Sequence, residues 1–255
     1  MTNMSKLKFT GIIPARYAST RFPGKPLAMI GDKSMIERVW CQVTKVLDEA
    51  YVATDDERIF NAVTAFGGKA IMTSPDHKSG TDRCYEAYIN SGSDADVIIN
   101  IQGDEPFIHE DQLREIKECF ADEQTQIATL ARKFNPALGF EALKDCTKPK
   151  LVADNNMNAL YFSRSVIPFV RNAEESVWAD SHPFYMHVGM YAYKASVLAE
   201  ITKLPQSSLE LAESLEQLRW LQNGYKIKVG LTDKETIGID TPADLQKAIE
   251  FINRK

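Results

Sequence analysis

Residues 96–102, with the sequence DVIINIQ, restrict the fold of this chain more than any other segment. Their apolar side chains follow one another instead of alternating with polar ones. Such a run is typical of a parallel strand, because helices cover both faces of a parallel sheet and bury both rows of side chains. We therefore expect a central strand here, followed at once by Gly103 and Asp104.

Signals for strands and helices alternate along most of the chain. Strands are predicted at residues 9–13, 51–54, 70–73, 96–102, 127–131 and 225–229, and helices at residues 34–47, 56–66, 207–222 and 241–252. Ser34, Ser207 and Thr241 are suitable N-caps for three of these helices. The pattern predicts an α/β fold with a doubly wound, mostly parallel sheet, as a single domain over residues 1–255. Residues 135–200 break the alternation and are interpreted as an insertion.

Composition and charge exclude several classes of function. The 255 residues carry 30 Lys and Arg against 35 Asp and Glu, a net charge of −5, so no basic surface is expected for a nucleic acid partner. The four cysteines contain no C-x-x-C pair, which argues against a zinc or redox site. Residues 1–8 lack the apolar stretch of a signal peptide, and no run approaches a membrane span, so we expect a cytoplasmic protein without a membrane partner.

The loop after the first strand, residues 14–27, carries three cations within ten residues: Arg16, Arg21 and Lys25. It lies at the carboxyl end of a strand, where α/β proteins bind their ligands. Neither the Walker A spacing nor the G-x-G-x-x-G spacing is present. The residues alone leave two interpretations open, which are a phosphate-binding loop of another kind and scattered surface cations.

Residues 12–27 (IIPARYASTRFPGKPL) closely resemble the nucleotide loop of the 3-deoxy-manno-octulosonate cytidylyltransferases, or CMP-Kdo synthetases. Further segments resemble that family in the same order, at residues 52–56, 76–83, 100–106, 159–164, 187–191, 215–219 and 238–242. The resemblance implies a nucleotide-diphospho-sugar transferase-like fold and transfer of CMP from CTP to 3-deoxy-D-manno-octulosonate (Kdo) for lipopolysaccharide biosynthesis. It also implies a homodimer, with residues 135–200 providing a dimerisation and sugar-binding region.

Transfer of a nucleotidyl group needs positive charge around a crowded triphosphate. The resemblance implies Arg16, Lys25 and Asp104 as catalytic residues, and it implies that Ala15, Arg16, Lys25 and Arg83 bind the nucleotide. It implies Asp104 and Asp240 as the ligands of Mg²⁺, a metal that prefers carboxylate, phosphate and water oxygens. From the residues alone, a turn or helix-entry acid before Thr241 is the favoured interpretation of Asp240, and Arg21 and Arg83 are equally surface arginines.

Kdo is an acid with several hydroxyl groups, so its pocket should combine a guanidinium with neutral hydrogen-bonding groups. Arg164 suits the carboxylate, and the resemblance implies Gln102, His187, Tyr191 and Glu216 around the sugar. Taken singly, a histidine or tyrosine in a strand is more often structural. The prediction depends on their joint spacing.

Three questions stay open at this level. The acceptor could be a related acid sugar, such as an 8-amino Kdo analogue or a sialic acid. The chain could also be a noncatalytic nucleotide-binding module that binds CTP and releases no pyrophosphate. Either His187 or Asp240 could remove the proton of the attacking hydroxyl, or a bound metal could make a dedicated base unnecessary.

Overall fold

The computed structural model describes residues 7–235 and 238–253. The expectation that no signal peptide is present depends mostly on residues 1–6, which lie outside the described residues. The chain divides into two compact units. Unit 1 contains Met1–Arg114, Ala192–Thr202 and Thr236–Lys255, and unit 2 contains Glu115–Tyr191 and Lys203–Glu235. The single domain over residues 1–255 stays a prediction.

The described strands and helices follow one another in close alternation. The strands are β1 Phe9–Ala15, β2 Met29–Ile30, β3 Lys33–Ser34, β4 Glu49–Thr54, β5 Ala70–Met72, β6 Val97–Asn100, β7 Ile127–Lys133, β8 Lys150–Ala153, β9 Ala159–Ser163, β10 Tyr185–Lys194 and β11 Ile227–Leu231. The helices are α1 Met35–Val43, α2 Glu57–Ala65, α3 Gly80–Ser91, α4 Glu110–Glu118, α5 Gly139–Leu143, α6 Trp178–Ser181, α7 Ala195–Ile201, α8 Ser208–Glu213, α9 Gln217–Gln222 and α10 Pro242–Asn253. None of these helices is long and apolar enough to cross a membrane.

The sheet of unit 1 has the strand order β6-β1-β4-β5, and every pair in it is parallel. Val97, Ile98 and Ile99 of β6 are fully buried, as their consecutive apolar side chains predict. Helices α1, α2 and α3 pack on this sheet. The predicted doubly wound, mostly parallel α/β fold is confirmed.

Parallel pairing places the carboxyl ends of β1, β4 and β6 at one edge of the unit 1 sheet. The segment after β6 approaches the end of β1 closely, because the Ile101 amide donates to the Ile12 carbonyl at 2.9 Å. A Cβ atom on Gly103 would lie 2.6 Å from the Pro14 carbonyl oxygen. Only glycine permits this approach, which sets the position of the following Asp104.

Unit 2 combines parallel and antiparallel strands. β11 pairs with β7 in parallel, β7 is next to β10, and β8 pairs antiparallel with both β10 and β9. An apolar core of this unit forms around Leu143, Trp178, Phe184 and Met186. Of the predicted insertion, residues 135–191 belong to unit 2 and residues 192–200 belong to unit 1.

The continuous helix predicted for residues 207–222 is wrong. The chain forms two short helices, α8 and α9, and Ser214 between them has a φ angle of 51°. The predicted capping box at Ser207 is present, but the Arg164 guanidinium binds the carbonyl oxygens of Glu213 and Ser214 at 2.6 and 3.2 Å. These tertiary hydrogen bonds satisfy the carbonyls where the helix stops, and they compete with the local helical spacing.

Candidate functional site

Lys25, Asp104, Asp240 and Arg21 form an ion-pair group in unit 1, which we call the lysine–aspartate cluster. The Lys25 Nζ atom lies 2.7 Å from Asp104 Oδ2 and 3.2 Å from Asp240 Oδ1. Arg21 contacts the same Asp240 oxygen at 3.1 Å. The Lys25 side chain is 14% exposed, while that of Asp240 is 50% exposed. Two carboxylates therefore converge on one cationic nitrogen at a solvent-accessible position.

Three separate segments build this cluster. Lys25 begins a short 3₁₀ turn after Gly24, whose φ of 71° suits glycine. The Ile239 amide donates to the Asp104 carbonyl at 2.9 Å, which joins the segment after β6 to the segment before α10. The Thr241 amide and hydroxyl donate to Asp244, and Asp244 N–H donates back to Thr241. This capping box confirms the predicted start of α10 and holds Asp240 just before the helix.

The cluster fits the donor set that Mg²⁺ requires. Asp104 and Asp240 present hard oxygen atoms to the same positively charged centre. Among residues 7–235 and 238–253, no group of three or more His, Cys, Asp or Glu side chains could hold a metal ion. Two carboxylates suffice for Mg²⁺ when substrate phosphates and water supply the other ligands.

Arg16 lies in the loop after β1, and its guanidinium donates to the His77 carbonyl oxygen. His77 in turn pairs through Nε2 with the Glu86 carboxylate, which also accepts a 2.9 Å hydrogen bond from the Ser74 amide. Burial acts to raise the pKa of Glu86, but the hydrogen bonds from Ser74 and His77 outweigh it and lower that pKa. A loop held by an ionised carboxylate thus anchors Arg16.

Arg83 is not a surface residue, because its side chain is fully buried on α3. It donates to Thr73 Oγ1 at 2.6 Å and to Asp55 at 3.1 Å. Its Nε atom is buried without a hydrogen-bond partner among the described residues. Burial lowers the pKa of Arg83, the Asp55 charge opposes that shift, and the Arg16 charge adds to it.

The other two unit 1 candidates flank these groups. Ala15 ends β1 and is buried. Gln102 is partly buried in the segment that leads from β6 to Asp104. Unit 1 therefore contains Ala15, Arg16, Lys25, Arg83, Gln102, Asp104 and Asp240.

The remaining four sugar-binding candidates lie in unit 2, and two of them surround Thr129. Thr129 Oγ1 lies 3.1 Å from His187 Nε2 and donates to the Met190 carbonyl at 2.8 Å. The His187 ring also packs against Phe162 and Tyr191. Burial lowers the pKa of His187 to about 4. The imidazole is therefore neutral at pH 7 and is a weak base.

Tyr191 is buried beside His187 and packs edge-on against Trp220. Burial raises the pKa of Tyr191 well above its usual value, the Glu216 charge adds to this shift, and a hydrogen bond with Thr129 opposes it. The phenol therefore keeps its proton and can donate it in a hydrogen bond. We call Thr129, His187 and Tyr191 the Thr129 group.

Glu216 precedes α9 and lies 3.6 Å from Arg219. Arg219 also makes a two-point contact with Glu210, at 2.8 and 2.5 Å. Burial acts to raise the pKa of Glu210, but hydrogen bonds from Arg219 and the Ser207 amide lower it overall. This buried pair joins α8 to α9 and supports the position of Glu216.

Arg164 follows β9 and uses each guanidinium nitrogen on a main-chain oxygen. It donates to Cys146 at 3.0 Å in addition to the contacts with Glu213 and Ser214. Lys150 is fully buried, donates to the Arg164 carbonyl at 2.9 Å, and has a pKa lowered by burial. Because a guanidinium has five N–H donors, Arg164 retains donors for a carboxylate.

The supporting residues Thr129, Lys150 and Glu213 were missed in the sequence analysis. A signal existed for Thr129 and Lys150, because each is a polar residue within or beside an apolar strand run. Glu213 had no such signal, since its carboxylate accepts from Ser163 Oγ and from the Arg164 amide only after the chain has folded.

Comparisons with known proteins extend over nearly the whole chain. A family model described as cytidylyltransferase matches residues 10–227. The 3-deoxy-manno-octulosonate cytidylyltransferase of Phocaeicola vulgatus is 65% identical over 249 residues, which are 98% of this chain and 99% of that protein.

Two solved structures also resemble this chain over nearly its whole length. A CMP:2-keto-3-deoxy-manno-octonic acid synthetase complexed with CTP has a TM-score of 0.89 and 41% identity over 97% of this chain and 99% of that one. A putative glucose-1-phosphate thymidylyltransferase from Bacillus anthracis, at 17% identity and a TM-score of 0.63, covers 95% and 94% and shares the fold. The chain belongs to the 3-deoxy-manno-octulosonate cytidylyltransferase family.

Proposed function

We propose that this protein transfers CMP from CTP to Kdo, giving CMP-Kdo and pyrophosphate for lipopolysaccharide biosynthesis. The observation that carries the proposal is the near full-length identity of 65% to a relative named for this reaction. In the reaction a Kdo hydroxyl attacks the α-phosphorus of CTP, the bond from that phosphorus to the bridging oxygen breaks, and pyrophosphate leaves. The hydroxyl gives up one proton.

The lysine–aspartate cluster and Arg16 support the nucleotide half of the proposal. Lys25 and Arg16 supply positive charge for a triphosphate, and a charge pair at 4 Å is worth about 4 kcal/mol at an effective dielectric near 20. Asp104 and Asp240 would hold Mg²⁺, which would neutralise phosphate charge when bound. In this proposal Arg83 and the backbone of Ala15 also bind the nucleotide.

The sugar half of the proposal assigns Gln102, Arg164, His187, Tyr191 and Glu216 to Kdo. Arg164 would bind the carboxylate, because guanidinium and carboxylate groups match in charge and geometry. His187 and Tyr191 are neutral, and they can pair with sugar hydroxyls without a charge to compensate.

A pyrophosphate-release assay over four nucleoside triphosphates and a panel of acid sugars tests this function, with and without Mg²⁺. We expect turnover with CTP, Kdo and Mg²⁺ together. If turnover is faster with an 8-amino Kdo analogue or a sialic acid than with Kdo, that sugar is the acceptor and Kdo is not. CTP binding without pyrophosphate release would identify a noncatalytic module.

Calorimetric titration of Mg²⁺ in the presence of a nonhydrolysable CTP analogue tests the metal assignment separately. Asp104→Asn and Asp240→Asn should each weaken metal binding, whereas Asp180→Asn, at an exposed position on α6, should not. Metal binding that is unchanged in both site variants contradicts the assignment.

The predicted homodimer is part of the proposal, with residues 135–200 at the contact between two copies. Leu160 and Phe169 in this range expose 62% and 72% of their surface, which is consistent with an apolar contact. Sedimentation of the Phe169→Glu variant should show a monomer if this region forms the dimer. The cytoplasmic location stays a prediction, which cell fractionation would test.

A further inference from the structure

Thr129 lies in the middle of β7, and its side chain is fully buried. Its neighbours Ala128 and Leu130 are buried and apolar. A hydroxyl in such a strand carries a desolvation cost unless it is hydrogen-bonded. Thr129 Oγ1 lies 3.1 Å from His187 Nε2, 2.8 Å from the Met190 carbonyl oxygen and 3.3 Å from the Val188 carbonyl oxygen. The Tyr191 hydroxyl is also hydrogen-bonded with Thr129.

The number of hydrogen bonds that this hydroxyl can donate and accept determines the tautomer of His187. A threonine hydroxyl has one hydrogen to donate and two lone pairs that accept. Carbonyl oxygens only accept, so the hydroxyl hydrogen goes to Met190, which is the shorter of the two carbonyl contacts. The two lone pairs of the Thr129 oxygen then accept from the Tyr191 hydroxyl and from His187, which places the imidazole proton on Nε2. His187 Nδ1 is left as an acceptor.

We propose that Thr129 is a positioning residue that holds His187 in the Nε2–H tautomer, so that Nδ1 accepts a hydrogen bond from a hydroxyl of the sugar substrate. This inference rests on the proposed sugar-binding role of His187. It deepens that role, because it specifies which atom of His187 accepts a hydrogen bond. A fixed acceptor at Nδ1 favours a substrate with a hydroxyl group at that position.

Nitrogen NMR of the full chain with ¹⁵N-labelled histidine tests the tautomer directly. The protein has four histidines, and the spectrum of His187→Ala assigns the signal of His187. We expect the wild type and Thr129→Ser to show a protonated Nε2 and an unprotonated Nδ1 at neutral pH. Thr129→Val has nearly the same shape but no hydroxyl, and it should show a mixture of tautomers.

Steady-state kinetics gives the functional readout. Loss of one hydrogen bond corresponds to about a tenfold rise in KM for Kdo in Thr129→Val, with KM for CTP unchanged. Thr129→Ser should restore KM for Kdo. Thr10→Val is the matched control, because Thr10 is a fully buried strand threonine of unit 1 whose hydroxyl has no partner among the described residues. That control should leave both the tautomer and KM for Kdo unchanged.

Two results would overturn the inference, namely a wild-type tautomer in Thr129→Val or an unchanged KM for Kdo in that variant. His187→Ala shows where the failure lies. If KM for Kdo rises in His187→Ala but is unchanged in Thr129→Val, only the role of Thr129 is refuted. A normal KM for Kdo in His187→Ala refutes the sugar-binding role of His187 itself.

Discussion

In unit 1 the residues of the lysine–aspartate cluster are charged and partly exposed, whereas in unit 2 the Thr129 group is neutral and largely buried. Lys25 contacts Asp104 at 2.7 Å and Asp240 at 3.2 Å, and the half-exposed Asp240 side chain keeps these charges accessible to a charged ligand. In the Thr129 group burial opposes ionisation, so the direction of the hydrogen bonds determines which substrate groups can bind. Charge attracts and stabilises a polyanion, while a fixed pattern of donors and acceptors distinguishes polyols. Single substitutions in the two units test this difference.

The largest effect on turnover is expected when Lys25 of the lysine–aspartate cluster is replaced. Lys25→Met should lower kcat by about 10²-fold or more, because positive charge that stabilises the transition state is lost. Arg16→Ala should lower kcat by a similar factor. Pyrophosphate release at saturating CTP and Kdo measures both effects. Lys33→Met is the control, because Lys33 pairs with Glu37 at 2.8 Å outside the cluster. Wild-type turnover in the Lys25 and Arg16 variants would remove these residues from the catalytic group.

Arg164 is the one charged candidate of unit 2 with the chemistry for the Kdo carboxylate. Arg164→Ala should raise KM for Kdo by about 10- to 100-fold and change KM for CTP much less. The exposed Arg171 provides the control variant Arg171→Ala. An equal rise in both KM values would move Arg164 out of the sugar pocket. Arg164→Lys keeps the charge and shows how much of the effect depends on the three main-chain contacts.

The Gly103→Ala variant tests whether backbone geometry positions the cluster. The new Cβ would lie 2.6 Å from the Pro14 carbonyl, so we expect a loss of about 1–3 kcal/mol in the free energy of unfolding and a lower kcat. Urea denaturation and steady-state assays measure these quantities. Gly80→Ala is the stability control, because its Cβ meets nothing closer than 3.9 Å. Equal stability of the two variants would show that the loop adjusts without strain.

The buried neutral His187 predicts a pH dependence of stability. Its pKa is about 4 in the folded protein and 6.5 in the unfolded chain, so the unfolded chain binds a proton first as the pH falls. This contribution to stability is complete above pH 6.5 and is lost toward pH 4. It amounts to about 2 kcal/mol between pH 7 and pH 5. Urea denaturation at both pH values should show a smaller decrease in the free energy of unfolding for His187→Gln than for the wild type. His109→Gln is the control and should show the same decrease as the wild type, because the His109 side chain is 50% exposed. A decrease equal to that of the wild type in His187→Gln contradicts the buried neutral state.

The smallest effect is expected for Thr10→Val, which removes a buried hydroxyl that has no partner among the described residues. The free energy of unfolding should stay the same or rise, because no hydrogen bond is lost. Thr129→Val should lower it by about 1–3 kcal/mol, since carbonyl and imidazole partners are left unsatisfied. Denaturation of the two variants side by side measures the contrast. Equal values would mean that the Thr129 hydrogen bonds contribute nothing to stability.

Much of the fold could be predicted because its signals are local. The consecutive apolar residues of β6 and the caps at Ser34, Ser207 and Thr241 depend on neighbours within a few residues. The helix over residues 207–222 was predicted wrongly because its break depends on Arg164, which lies about 50 residues away in sequence. Local spacing contains no information about such a partner.

The same limit applies to the candidate residues. The sequence by itself determined the α/β alternation, the cationic loop after β1 and the family to which the chain belongs. Only the tertiary structure decided that Lys25 contacts both aspartates, that Arg83 is buried and that Thr129 contacts His187. Residue types and spacing determine which hydrogen bonds and charges are possible. Burial and orientation, which depend on distant segments, determine which of them form.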